Sequence, residues 1–185
     1  MLDHAEVLIM TRGYNAFSYH DLARALDLTT ASVHYHFPKK ADLGVAAVRR
    51  YASRISAGLD ALAHEPDPRA RLDAYLSVFM GVSLDHVRIC LCGSLGAEFA
   101  TLPQGVQSEV QRFFDVHSLW LGELLATGRE NGAFSFPGDP AALGRFLFAG
   151  LEGALIVARG RRDPEAFALA LQTVRELVGA VEPPG

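Results

Sequence analysis

The sequence predicts an all-α protein, on three observations. Apolar residues recur at i, i+3, i+4 and i+7 over almost the whole chain, the spacing that gathers them on one face of a helix. No sustained period-two alternation is bounded by hairpin turns, so no strand is expected. Cap residues, glycines and prolines fall where helices start and stop, dividing the 185 residues into about nine helical segments.

The first helix covers roughly 2–12 and closes at Gly13, whose missing Cβ permits a left-handed exit. Ser18 caps a second helix, with Asp21 three residues later as a weak capping box. Asp27 marks the break after Leu26, because a short polar side chain tolerates left-handed geometry. Thr29 or Thr30 caps a short third helix that ends before Phe37-Pro38, and Asp42 lies in the first turn of a fourth, at about 39–63. After Pro66 and Pro68, a helix at 68–86 carries Leu72, Tyr75, Leu76, Phe79 and Met80 along one face. Another at 89–101 stops at Pro103, and a long one at 104–130 closes at Asn131-Gly132. The last two helices, 140–159 and 163–181, are separated by Gly160-Arg161-Arg162-Asp163-Pro164. The division expected is a helix-turn-helix domain at 1–46, its fourth helix continuing to about 63 as a connector, and a helical domain at 47–185 for ligand binding and dimerisation.

Composition narrows the function. Residues 1–50 hold six Lys/Arg against five Asp/Glu, a balance of +1; the other 135 hold eleven against sixteen, a balance of −5. The only lysines, Lys39 and Lys40, lie in this first segment, as do His4, His20, His34 and His36, which add hydrogen-bond donors. An anionic partner is therefore expected at the N-terminal end. No run reaches the ~18 apolar residues of a membrane span, and Asp3 and Glu6 are unlike the basic opening of a secretory leader. A cytoplasmic protein with no membrane partner is expected. Cys90 and Cys92 are too few for a secreted disulfide scaffold, and no second pair completes a zinc site. No metal or cofactor is expected. A nucleophile with its base, a phosphate loop and paired carboxylates are all missing at recognisable spacing, so the chain does not read as an enzyme.

The run Gly13 to Leu43, GYNAFSYHDLARALDLTTASVHYHFPKKADL, reads as two short helices joined by a tight turn and followed by a long one. Leu22, Ala23, Leu26, Leu28 and Val33 are the positions expected to lock the short pair at a steep angle. That arrangement pushes the second of them outward, where it can enter a ~12 Å major groove.

These residues resemble the TetR family of repressors. The likeness lies in Phe17-Ser18, Leu22-Ala23, Leu28-Thr29, Ser32-Val33 and above all Tyr35-His36-Phe37-Pro38-Lys39-Lys40 followed by Asp42-Leu43. It covers about 45 residues in detail. Two departures are Asp27 in place of the more usual Gly, and a first helix with no preceding arm. The resemblance implies a dimeric repressor of double-stranded operator DNA, released by an inducer. Thr29, Thr30 and Ser32 on the first turn of the reading helix suit base edges or phosphates, and His34 and Tyr35 project from its exposed face. Lys40 resembles the family's phosphate-clamping lysine, Ser18 and Tyr19 are placed to touch the other strand's backbone, and Phe37 reads as core.

The C-terminal half supplies expectations for dimer and signal. Phe167, Leu171, Val174, Val178 and Val181 recur at 4, 3, 4 and 3, a heptad seam, beside a helix carrying Phe146, Gly150 and Gly153; paired about a two-fold axis, 140–159 and 163–181 would form a four-helix bundle. Phe79, Cys90, Cys92, Phe113, His117 and Trp120 fall on inward positions of three helices and would line a cavity for a small-molecule or electrophile inducer. His117 could orient that ligand or satisfy a buried carbonyl. Cys90-Leu91-Cys92-Gly93 resembles a Cys-Leu-x-Gly stretch of several TetR-type regulators, some redox-responsive, and Arg88 could lower a thiol pKa. A free cysteine is equally a small hydrophobe at a helix start. The rival functions are a cysteine-based redox or electrophile sensor and a ligand-binding module that has lost DNA binding.

Overall fold

The structure, a computed structural model, describes residues 1–83 and 88–179, without the side chains of residues 82 and 83. Among the described residues it holds nine α-helices, two short 3-10 turns and no strand. The helices are α1 (Leu2–Arg12), α2 (Tyr19–Ala25), α3 (Thr30–His36), α4 (Lys40–Ala61), α5 (Pro68–Ser83), α6 (Leu91–Ala97), α7 (Gln104–Glu130), α8 (Pro140–Arg161) and α9 (Pro164–Leu177). They group into two compact units, Met1–Ser56 with Val87–Phe114, and Ala57–His86 with Asp115–Gly185. Packing thus joins α6 and the start of α7 to the N-terminal helices, a larger unit than the 1–46 division.

In the first unit the local signals act where the sequence has them. Gly13 ends α1 at φ 91. At α2 the capping box is complete: the Ser18 hydroxyl accepts from the Asp21 amide, and the Asp21 carboxylate accepts from the Ser18 amide at 2.8 Å. Asp27 takes a left-handed φ of 53, and Thr29, the first of the two candidate caps, accepts from the Ser32 amide at 3.1 Å. Leu22, Ala23 and Val33 are buried between α2 and α3. Leu28 does not join them and is 45% exposed, because the left-handed step at Asp27 ends the helical register before it. Beneath, the buried Glu6 ties α1 to α4, accepting from Arg50 Nε at 2.7 Å and Arg54 at 3.0 Å. A carboxylate so enclosed is tolerated because two guanidinium groups meet it.

The helix expected at 89–101 is broken. The Ile89 amide donates to Met10 O, which holds the chain extended before Cys90, the N-cap of α6. Glu98 then interrupts α6 at φ −101, ψ 7 and a 3-10 turn, Phe99–Thr101, follows.

The second unit packs α5, the later part of α7, α8 and α9 around Leu72, Tyr75, Leu76, Leu121, Leu124, Leu125, Leu151 and Phe167. Asp139 caps α8 ahead of Pro140 and Asp163 caps α9 ahead of Pro164, prolines that fit a first turn whose N–H groups have no helical partner. α8 runs to Arg161 and stops at Arg162, left-handed at φ 55. By length and composition α8 could cross a membrane, with mean hydropathy 1.6 over its most apolar window, yet its Leu147, Leu151 and Leu155 stripe is protein core.

The heptad seam is corrected. Phe167, Leu171, Val174 and Val178 are buried inside their own unit, and Val181 lies outside the described residues. Periodicity marks a buried face without saying what buries it. The faces left outward are others: Phe146 is 65% and Leu169 63% exposed, and with Gly150, Ala170, Thr173 and Leu177 they line a groove of about 410 Å³.

Candidate nucleic-acid interface

α3 is short, and a single buried side chain, Val33, anchors it; everything on its other faces is open or half open. Tyr35 is 84% exposed, the most of any large apolar side chain described, and His34 and His36 flank it in the open. Thr29 is exposed and shares a 2.9 Å hydrogen bond with Ser32 Oγ, while Thr30 and Ser32 are half-buried on the first turn. Ser18, exposed at the start of α2, donates its hydroxyl to Asp21 at 2.6 Å; the hydrogen bonds from Ser18 hold the Asp21 carboxyl below its ordinary range. Hydroxyls, imidazoles and one phenol therefore gather about α3 and the caps beside it, suited to base edges and phosphate oxygens.

Two residues expected at that surface lie elsewhere. Tyr19 is buried; its hydroxyl donates to Phe37 O at 2.8 Å and its ring meets His34 edge-on at 4.6 Å. Burial, aided by Asp42, pushes its phenol up to about 12, so it stays a neutral donor bracing α2 against the end of α3. Phe37 itself is only half-buried. Lys40 turns inward, its ammonium donating to Tyr14 O and Phe17 O and lying 4.5 and 4.3 Å from the Tyr14 and Phe17 ring centres. Burial lowers its pKa, with Glu98 and Asp21 opposing. A cation in such a cage holds the loop before α2 rather than reaching for a phosphate. The neighbour that sequence reasoning passed over, Lys39, is exposed. Only burial, which two adjacent lysines do not reveal, tells them apart.

The nominated sensor residues fall in both compact units. In the first, Cys90 and Cys92 are buried; Tyr51 Oη donates to Cys90 Sγ at 3.6 Å, and the Tyr51 ring lies 5.8 Å from Phe113. In the second, His117 Nδ1 is 3.1 Å from Tyr75 Oη and its ring stacks on Phe148 at 5.4 Å. Tyr75 stacks on Trp120 at 5.0 Å and lies 5.4 Å from Phe79. Among the described residues no group of three or more His, Cys, Asp or Glu is placed to hold a metal.

Burial drives His117 down to about 4 from 6.5, so the folded protein keeps it neutral. Between these values the unfolded chain takes up a proton that the folded chain refuses, and stability falls as pH drops through that window. The loss expected between pH 7 and 4 is on the order of 3 kcal/mol. It reads as a thermal midpoint that declines on acidification in the wild type and declines less in His117→Gln; equal declines in both would exclude His117 as the cause.

A helix-turn-helix that offers an open, hydrogen-bonding helix on an all-helical chain is the apparatus of a DNA-binding transcription regulator. Residues 1–47 match the family model of bacterial regulatory proteins, tetR family, and residues 68–174 that of a tetracyclin repressor-like C-terminal domain. The chain belongs to the TetR family, whose members are DNA-binding transcription factors rather than enzymes. A TetR-family regulator from Agrobacterium tumefaciens is 32% identical and superposes with a TM-score of 0.91, over 96% of this chain and 94% of that one. The HTH-type transcriptional repressor NemR of Escherichia coli is 26% identical over 182 residues, 96% of this chain and 92% of that protein. The crystal structure of its reduced form has a TM-score of 0.83, over 98% and 96% of the two chains. The transcriptional regulator AcuR of Cereibacter sphaeroides is 26% identical over 158 residues, 83% of this chain and 72% of that protein.

Proposed function

We propose that the chain is a cytoplasmic repressor that binds a palindromic operator as a homodimer and is released by a small hydrophobic or electrophilic inducer. The observation that carries this reading is the outward face of α3, where Tyr35 and His34 stand open beside a buried Val33. Tyr35 and His34 read bases, Thr30 and Ser32 support them on the first turn, and Thr29, Ser18 and Lys39 contact phosphates. Resemblance to a named repressor, NemR, favours repression over activation.

The dimer forms through α8 and α9 of each copy, supported by the exposed Phe146, Leu169 and Leu177. A homodimer of this kind has a two-fold axis and offers two copies of α3 to half-sites ~34 Å, or a multiple of it, apart. For the inducer, Cys90 beside Tyr51 and the aromatic group around His117 are the two receiving sites, the first for an electrophile and the second for a noncovalent apolar ligand. Release follows when the inducer binds more tightly to a form whose reading helices are wrongly spaced.

The experiment is selection of duplexes from random DNA, followed by mobility shift across a salt series. A palindrome with a steep salt dependence is expected. Tyr35→Ala should change the base preferred at one position of each half-site, and Leu169→Glu should leave a monomer with weak half-site binding. A wild type that enriches no sequence overturns the repressor reading and favours a sensor or binding module without DNA.

A further inference from the structure

The loop between α1 and α2 is gripped from two directions within the first unit. From α4, the Lys40 ammonium draws in the carbonyls of Tyr14 and Phe17. From the end of α6, the Glu98 carboxylate takes hold of the same loop: Oε2 accepts from the Asn15 amide at 3.0 Å and from Asn15 Nδ2 at 3.2 Å. The Asn15 side chain donates again to Thr101 Oγ1 at 2.7 Å. Gly13 is required here by its backbone, and a side chain on it would also displace the Glu98 carboxylate. Its φ of 91 disfavours a side chain, and a Cβ would fall 2.1 Å from Glu98 Oε1, in the space the carboxylate occupies. The start of α6 is fastened to the last turn of α1 as well, by Ile89 N to Met10 O at 3.3 Å and Ser94 Oγ to Ile9 O at 2.9 Å.

What the loop carries makes the grip consequential. It runs directly into Ser18, the cap of α2, and α2 carries α3 through Leu22, Ala23 and Val33 and the Tyr19 hydroxyl on Phe37 O. α2 and α3 are therefore packed as one piece, and the loop, beside the Arg12–Asp21 pair, is one of the links that place that piece on the rest of the unit.

We propose that Glu98 is a positioning residue for operator recognition: through Asn15 it sets the orientation of α3 that a two-half-site operator demands. Glu98 is far from α3 in sequence, and its carboxylate is engaged by Asn15 of the α1–α2 loop. Its effect is geometric, and it shows most on a dimer, where a small rotation of each α3 changes the distance between the two. This last step rests on the dimeric reading above.

The test compares wild type, Glu98→Ala, Glu98→Gln, Asn15→Ala and the double alanine variant. Each is measured on the duplex that wild type selects from random DNA and on versions with one base pair added or removed between half-sites. Glu98→Ala should bind the selected duplex about tenfold more weakly, the scale of one charged hydrogen bond, at a temperature well below its thermal midpoint. Its preference for the original spacing should relax, a change that loss of stability alone does not produce. Glu98→Gln, which keeps an acceptor for the Asn15 amide, should recover most of the affinity. The double variant should lose less than the two single losses added together, since the Asn15 Nδ2 to Glu98 bond is removed by either change, while the bond to Thr101 is removed by Asn15→Ala alone. Wild-type affinity and spacing preference in Glu98→Ala, or additive losses in the double variant, would overturn the proposal. A wild type that selects single half-sites refutes the dimeric reading instead, and the affinity comparison on that half-site still decides the role of Glu98.

Discussion

Alanine at Gly144 is expected to lower stability by about 2–3 kcal/mol, the usual cost of forcing a methyl into filled space, while the same change at Gly58 raises it by up to ~1 kcal/mol. Both glycines sit inside helices, Gly58 in α4 and Gly144 in α8, and intrinsic helix propensity favours alanine at each. The surroundings decide the sign. A Cβ on Gly144 would lie 2.6 Å from the Gly122 nitrogen and 2.9 Å from Gly122 Cα, backbone of α7 that cannot swing aside as a side chain does. A Cβ on Gly122 would in turn meet Ala141 Cα at 3.2 Å, so Gly122, Ala141 and Gly144 form a crossing built on small residues. At Gly58 a Cβ meets nothing within 4 Å. Thermal unfolding of the two variants beside wild type reads this directly, with a fall of roughly 5–10 °C for Gly144→Ala. An unchanged midpoint there would mean that α7 and α8 do not meet on these residues.

The glycine contrast also marks the limit of what the chain discloses unaided. Signals that act within four residues are legible: the Ser18–Asp21 box, the left-handed Asp27 and the Thr29 cap. Each needs only its neighbours, and so does the open face of α3, which follows from a helix with one buried side chain. Tertiary partners are not legible in this way. The 4-3-4 row from Phe167 to Val178 says that a face of α9 is buried, and an intramolecular core satisfies it as well as a second copy would. The break at Glu98 depends on α6 being fastened to α1 some eighty residues earlier, as in the Ser94 to Ile9 bond. Tyr19 and Lys40 carry polar ends that suit DNA, and only the carbonyls of Phe37, Tyr14 and Phe17, supplied by other elements, engage them instead. A family pattern matches residue types at positions; it does not say which way a flexible side chain has turned.

Exchanging the two lysines separates the structural from the electrostatic role. Lys40→Met keeps the aliphatic stem but deprives Tyr14 O and Phe17 O of the ammonium, and a charged hydrogen bond is worth ~1.5–3 kcal/mol. The expected result is a loss of about 2–4 kcal/mol in stability, with the cation–π contribution of the two rings included. Operator affinity falls with it, because the loop that Lys40 holds is the one that leads into α2. Lys39→Ala, on an exposed side chain, should leave stability within about 0.5 kcal/mol. Its signature is in salt instead: each phosphate that the protein no longer neutralises reduces the slope of log affinity against log salt by ~0.9, so a dimer without either Lys39 should bind with a slope shallower by about 1.8. Lys40→Met should keep the wild-type slope wherever it remains folded. Equilibrium unfolding and a salt titration of DNA binding on both variants check the assignment. If Lys40→Met lowers the slope at unchanged stability while Lys39→Ala does neither, then Lys40 leaves its carbonyl cage on DNA and the clamp is Lys40 after all.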